Sequence, residues 1–519
     1  MVVFINPACG FCEACYTTAT GRQGTLIDLR KHSSRHLETK IVLPIPETHK
    51  YERELHYYLF SPPQLYVNKN TYAEQRMLHK FQSHGRYSSP ELTLEELLDE
   101  DNMISPLTLL NRYTENLEKD ITSVPERTVI HELQTVANAV RHENKASLQD
   151  CKDMARLGMK ADLNSTLVDW YRNTLVIQDG IRDMLEVIRT KCSLENRLLV
   201  AYLWADEAVS LLNEKQAIDL YMACSHLGDE LQEVLGLLLA FSRDEAEYRN
   251  LQSYPSGGDN PELIQYRKAV LKKWTQSALY LIPEVSRWPM RVSQILAGTA
   301  AAVAMAFATL ASIFAEKTYL KNSMQWALIV IIAYVFKDRI KEWLRAFFNA
   351  VLPKMMADEI SSFLSPKSTS KICSSRIRLH YEEPQDLPSK VKDIRKDKTN
   401  PFKDMLPDEN VLHYVRNLVM HPLTKHKMER DKFPRENNFT LVTRIRIDDF
   451  LKEMDDPKDI VFRMDPNADE LDQLNSERVY HLHMVIRERA LKEDLDIYSH
   501  YTIVLNKAGI VRIEQMNDT

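Results

Sequence analysis

The sequence predicts a mainly α-helical protein with a β-rich C-terminal domain: a helical bundle, a two-helix transmembrane hairpin and an antiparallel sheet. Three observations carry that expectation. Two uncharged apolar runs, Ile295 to Phe314 and Met324 to Phe336, stand close together past the middle of the 519 residues. The stretch before them repeats apolar residues three and four apart, the helical period. The stretch after them alternates apolar with polar residues, the strand period.

Composition narrows the function classes. The formal net charge of −6 makes no global case for binding nucleic acid. Only 12 glycines occur, and the abundance of Leu, Glu, Gln and Ala favours helix. No Walker, Rossmann, kinase or GxSxG signature is present, and no cofactor is expected. The expected parts are 1–22, a mobile Cys-containing tail; 23–90, a mixed α/β segment; 91–285, a cytoplasmic helical bundle; 286–355, the hairpin with an amphipathic helix; and 356–519, a cytoplasmic β-rich domain.

The first segment carries Cys9, Cys12 and Cys15 behind the apolar Val2 to Ile5. A CxxC after a strand is a redox pattern, and three thiols at this spacing can begin a metal site. A tail added by an upstream start codon is the plainer reading. Cys151, Cys192, Cys224 and Cys373 are scattered singly and read as buried thiols. Thr25 to Leu29 and Lys40 to Leu43 read as strands, the second stopped by Pro44 and Pro46. His56, His79 and His84 are isolated, so each reads as a solvated or core histidine.

Helices follow. Pro90 with its early acids reads as a helix start. Val129 to Leu157 and Leu163 to Lys191 are long periodic segments. In the second, Leu167, Trp170, Thr174, Ile177, Ile181, Met184 and Ile188 form a heptad-like stripe. Leu198 to Leu212 and Ala217 to Arg243 read as two more helices. His131-Glu132 and His142-Glu143 are pieces of a zinc helix, but the histidines stand eleven apart, not four.

The first apolar run matches the roughly 20 residues that a bilayer core demands. The second is shorter and needs its flank from Tyr319. Arg267, Lys268, Lys272, Lys273, Arg287 and Arg291 precede the pair, and Lys337, Arg339, Lys341 and Arg345 follow it. The link holds only Lys317 and Lys321, offset by Glu316. Positive flanks face the cytoplasm. The expectation is therefore a two-span inner-membrane protein with both termini cytoplasmic and the lipid bilayer as its partner. Gly298, Ala302 and Ala306 recur every fourth residue, a helix-packing stripe for the second span or for a homodimer. Lys337 to Leu352 is amphipathic. It either lies in the interface or continues the second span and packs on the bundle.

Tyr266 to Lys273, the Ala-rich run, Tyr334 to Glu342 and Glu54 to Pro63 carry a likeness. Across most of the chain after about residue 23 the protein resembles a group of bacterial two-span inner-membrane proteins of unassigned activity. The resemblance implies two spans and a bacterial inner membrane. It implies no activity and no functional residue, and Cys9 to Cys15 lie outside it.

In the tail, Ser374 to Tyr381, Leu441 to Ile447 and Tyr480 to Arg487 alternate as strands, and Tyr501 to Glu514 reads as a hairpin turning at Gly509. Arg376, Arg378, His380, Arg444, Arg446, His481, His483 and Arg487 fall on polar faces. As neighbours they would make a basic surface for anionic lipid or a phosphate-bearing partner. A non-enzymatic scaffold or signalling sensor is the expected role. The alternatives are a membrane-anchored enzyme without a recognisable motif, or a redox or metal protein using the three N-terminal cysteines.

Overall fold

The computed structural model describes residues 27–516 apart from 91, 103–104, 120–124, 194, 259, 287, 321–322, 356, 367–369, 397–407, 423–437, 465–470 and 491–494. The first part of the chain forms β1 (Asp28–Ser33), β2 (His36–Pro44), β3 (Tyr51–Ser61), α1 (Glu74–Leu78) and β4 (Phe81–Tyr87). Helices follow: α2 (Leu94–Leu98), α3 (Pro106–Glu118), α4 (Glu126–Leu157), α5 (Lys160–Lys191), α6 (Arg197–Cys224), α7 (Gln232–Leu251) and α8 (Pro261–Gln276). Next come β5 (Ile282–Val285), α9 (Trp288–Thr318), α10 (Met324–Met355), β6 (Glu359–Leu364), β7 (Lys371–Glu382), α11 (Ser389–Arg395), β8 (Asn410–Met420) and β9 (Asn438–Arg446). The chain closes with α12 (Asp448–Leu451), β10 (Lys458–Met464), β11 (Leu471–Glu477), β12 (Tyr480–Ala490), β13 (Leu495–Asn506) and β14 (Gly509–Met516).

Two compact units result. One is helical and centres on Arg86–Tyr280. The other gathers Gly24–Gly85, Leu281–Thr424 and Leu441–Thr519.

In the helical unit, the stripe predicted on α5 is buried from Leu163 to Ile188. The first short helix starts at Leu94, not Pro90. Thr93 caps it, its hydroxyl accepting from Glu96 N while Glu96 caps Thr93 N in return. The two helices predicted over Leu198 to Arg243 break elsewhere. Asn213-Glu-Lys-Gln216 holds no breaker, so α6 runs through it. The chain turns instead at Gly228, whose φ of 103° suits glycine.

This bundle keeps charge inside. Asp206 and Glu207 on α6 are both 1% exposed. Asp206 accepts from the hydroxyls of Tyr248 and Tyr254 at 2.8 and 2.5 Å, and Arg182 bridges it to Glu245. Glu207 takes Arg267 at 2.7 Å, and Arg249 takes Glu214 at 2.8 Å. Burial pushes the Asp206 carboxyl up, against the hydrogen bond from Tyr254 and the nearby Arg182 charge.

The second unit is built on an eight-stranded antiparallel sheet of order β14-β13-β12-β3-β8-β7-β6-β5. Its central strand β3 comes from the N-terminal segment, so residues before 90 and after 356 share one sheet. A four-stranded sheet, β1-β2-β9-β4, covers one face. There Tyr57 meets Thr39 at 3.3 Å, Phe81 stacks on Tyr414, and the buried Arg416 reaches Ser375 and Thr443. The predicted hairpin forms as β13 and β14. Gly509 has φ 137°, and a Cβ there would stand 2.1 Å from Ser34 O.

The helices α9 and α10 form an antiparallel hairpin, and here one expectation is corrected. Among the described residues only Gln294–Thr318, 25 residues with an 18-residue window of mean hydropathy 1.8, is long and apolar enough to cross a membrane. In α10 the apolar run ends at Phe336, and Lys337, Asp338, Arg339, Lys341, Glu342 and Arg345 follow within three turns. Too few apolar residues remain for a second crossing. The two-span bacterial inner-membrane placement with both termini cytoplasmic is therefore not supported. The segment Lys337 to Leu352 continues α10 without a break. Trp343 and Phe347 on it are exposed.

Candidate metal centre

Alternation puts every second residue of a strand on one face. Register then decides which strands share that face. On β7 it presents His380 and Glu382. On β8, directly opposite His380, stands His413, and on β3 Tyr58 stands opposite His413. His56 is two residues along β3 from Tyr58, on the same side. Four polar side chains from three strands thus meet in the middle of the sheet.

Their geometry is close. Glu382 reaches diagonally across the strands to His413, Oε2 lying 2.8 Å from Nδ1. Both atoms are shielded from solvent, and His413 hydrogen-bonds the carboxylate. The other ring nitrogen, His413 Nε2, stands 3.0 Å from His56 Nδ1. His56 Nε2 lies 3.8 Å from Glu54 Oε2. Each of His380, Glu382 and His413 offers a ligand atom, and these atoms fall within 4.8 Å of one another. Tyr58 stacks on the His413 ring at 4.1 Å, and the His380 ring meets it edge-on at 4.9 Å.

Charge states follow from the surroundings. Burial lowers His56 to about 3, helped by His413, Arg487 and Arg489, so this imidazole stays neutral. Burial and then His413 lower His380 too. Burial would raise Glu382, but the hydrogen bond from His413 and then the charges of His413, His380 and His56 outweigh it and hold the carboxylate below its ordinary value. His56 and His380 are thus biased toward the neutral form beside a carboxylate biased toward the ionised one, the forms that bind a metal cation.

The short helix α11 lies over the same face. Leu387 and Val391 pack on Tyr58, Phe60, Val411 and Val485. Beyond them a cavity of about 910 Å³ opens, lined among others by Phe60, Lys392, Arg395, His481 and His483.

The residues predicted from the sequence divide. Arg376, Arg378, His380, His481, His483 and Arg487 do share one face of one sheet. They do not form neighbouring strands, since β3 and β8 stand between β7 and β12. Arg444 and Arg446 belong to the four-stranded sheet and face Glu38 and Asp448 instead. Arg487 pairs with Asp496 at 2.7 Å. Cys9, Cys12 and Cys15 lie outside the described residues. Gly298, Ala302 and Ala306 are exposed, and Ala300, Ala304 and Ala315 are the buried small residues of α9. Sequence reading missed Glu382, His413 and His56 as a group. The His380-x-Glu382 spacing was visible; the pairing of β7 with β8 and β3 was not. No family model matches this chain, and no curated protein or solved structure is similar to it.

Proposed function

We propose that this chain is a metal-binding protein whose sheet unit holds one divalent transition-metal ion through His380, Glu382 and His413. The observation that carries the reading is that His380, Glu382 and His413, from two paired strands, each place one ligand atom within 4.8 Å of the others. Glu382 Oε2 and His413 Nδ1, 2.8 Å apart, repel unless a proton or a cation lies between them. In the metal-free protein a proton on His413 Nδ1 fills that place, donated to Glu382. An ion there would take the proton's position and leave the His413 proton on Nε2, 3.0 Å from His56 Nδ1. Metal-bound histidines ordinarily donate their second N–H in this way, which fixes the tautomer and the ring orientation.

Two imidazoles and one carboxylate suit zinc, iron(II) or manganese(II). Three protein ligands leave a tetrahedral ion at least one position for water or a small ligand. The test is elemental analysis of the purified full chain after reconstitution with each metal in turn. About one equivalent per chain is expected, as for a single-ion site, and Glu382→Gln and His413→Ala should lose it while keeping the wild-type circular dichroism. A folded wild type that retains no metal after desalting would overturn the reading.

A further inference from the structure

The helical unit carries a second site, unrelated to the sheet. A cleft of about 410 Å³ opens between α4, α6 and α8. Arg141 and Lys145 on α4, Lys215 on α6, and Lys268 and Lys272 on α8 line it. The single carboxylate in the lining is Asp219, already paired with Lys215. The floor is apolar, with Leu148, Ala208, Leu211 and Leu271.

Three features argue against an ordinary solvated surface. Arg141 with Lys145, and Lys268 with Lys272, are like charges four apart on a helix, an arrangement that costs each helix a few tenths of a kcal/mol, roughly, when nothing neutralises it. Among the described residues Arg141 hydrogen-bonds the neutral Asn138 and Thr275, and burial with Arg86 nearby pulls its pKa down. Gln216, 5% exposed, also lines the cleft, and its amide nitrogen is shielded and has no hydrogen-bond partner. A buried donor left unmade costs about 1–3 kcal/mol, which an oxygen acceptor in the cleft would offset.

We infer that this cleft binds the phosphate group of a small phosphorylated ligand, with Gln216, Arg141, Lys145, Lys268 and Lys272 as its donors. Phosphate brings oxygen acceptors to Gln216 Nε2 and negative charge to Arg141, Lys145, Lys268 and Lys272. The apolar floor takes a small organic part. Lys268 and Lys272, read from the sequence as flanks of a membrane span, face this cleft instead.

The experiment uses the full chain at low salt with pyrophosphate, a nucleoside monophosphate and vesicles containing an anionic phospholipid as probes. Calorimetry or a thermal shift reads the soluble probes, and sedimentation reads the vesicles. The expected result is pyrophosphate or nucleotide binding that weakens by about tenfold or more in Lys268→Glu and in Gln216→Leu, the loss of one charge-assisted hydrogen bond. Lys273→Glu, an equal charge change outside the lining, should bind as wild type. Vesicle binding with the same dependence, in place of soluble-probe binding, would assign the phosphate to a lipid headgroup and keep the site. Absence of binding by every probe, or equal weakening by Lys273→Glu, would overturn the inference.

Discussion

Glu382 on β7 and His413 on β8 bring Oε2 and Nδ1 to 2.8 Å of each other, a contact that holds the Glu382 carboxylate below its ordinary pKa. Everything around the pair holds it in place. Tyr58 stacks on the His413 ring, and His56 engages the far nitrogen at 3.0 Å. In the proposed site His56 orients His413 and is not a ligand. Replacing it with Phe should lower metal affinity by about 10–100-fold, the usual loss when an outer partner of a ligating histidine is removed. Chelator competition measures this. Unchanged affinity would mean that His413 is oriented without His56.

The helical hairpin makes a sharper distinction between two stripes. Ala304 is 1% exposed, whereas Ala302 faces outward. Ala304→Leu should cost about 1–3 kcal/mol through overpacking. Ala302→Leu should be within about 0.5 kcal/mol of wild type in the monomer, as surface changes generally are. Chemical denaturation followed by far-UV circular dichroism checks both. Equal costs would contradict the packing described for α9.

In the helical unit, Arg182 bridges Asp206 and Glu245, both almost fully buried. Removing one partner of a buried ion pair leaves the others uncompensated. Arg182→Ala should therefore destabilise by about 3–5 kcal/mol. The urea midpoint reads this, and a loss no larger than that of an exposed arginine would contradict the network.

Asp449 supplies a pH dependence. Burial would raise its pKa, but hydrogen bonds from Lys452 and Lys80 outweigh that and hold it below the ordinary 3.8. A carboxylate lowered in the folded state adds stability that is fully present above the unfolded value and is lost as pH falls through the folded one. The melting temperature of wild type should thus exceed that of Asp449→Asn at pH 7. The gap should close as pH drops below 3.8. A constant gap over that range would show that the lysine contacts add nothing.

How much of this was legible beforehand depends on sequence distance. The α5 stripe, the β13–β14 hairpin and the alternation of β7 and β12 are local patterns, and each residue set is written in one short window. The centre of the sheet is not local. His56 and His413 are 357 positions apart and meet only because β3 inserts between β12 and β8. Read singly, each is an unremarkable histidine in a strand. The hairpin misled for a different reason. Met324 to Phe336 looks like half of a span, but α10 continues through charges that a bilayer core would exclude. Within the single chain Ala300 and Ala304 are the buried row of α9, two positions along from Gly298, Ala302 and Ala306, because Ala fills most of that helix and periodicity cannot choose between adjacent alanine rows.

The most direct test of the central claim is a cobalt(II) titration of the metal-free full chain, read by visible absorption. Cobalt in a site of imidazoles and a carboxylate should give ligand-field bands that saturate near one equivalent, as expected for one site with open coordination. The bands should be absent in Glu382→Ala and in His413→Ala. Saturating bands of equal intensity in those two variants, or no bands in the folded wild type, would contradict it.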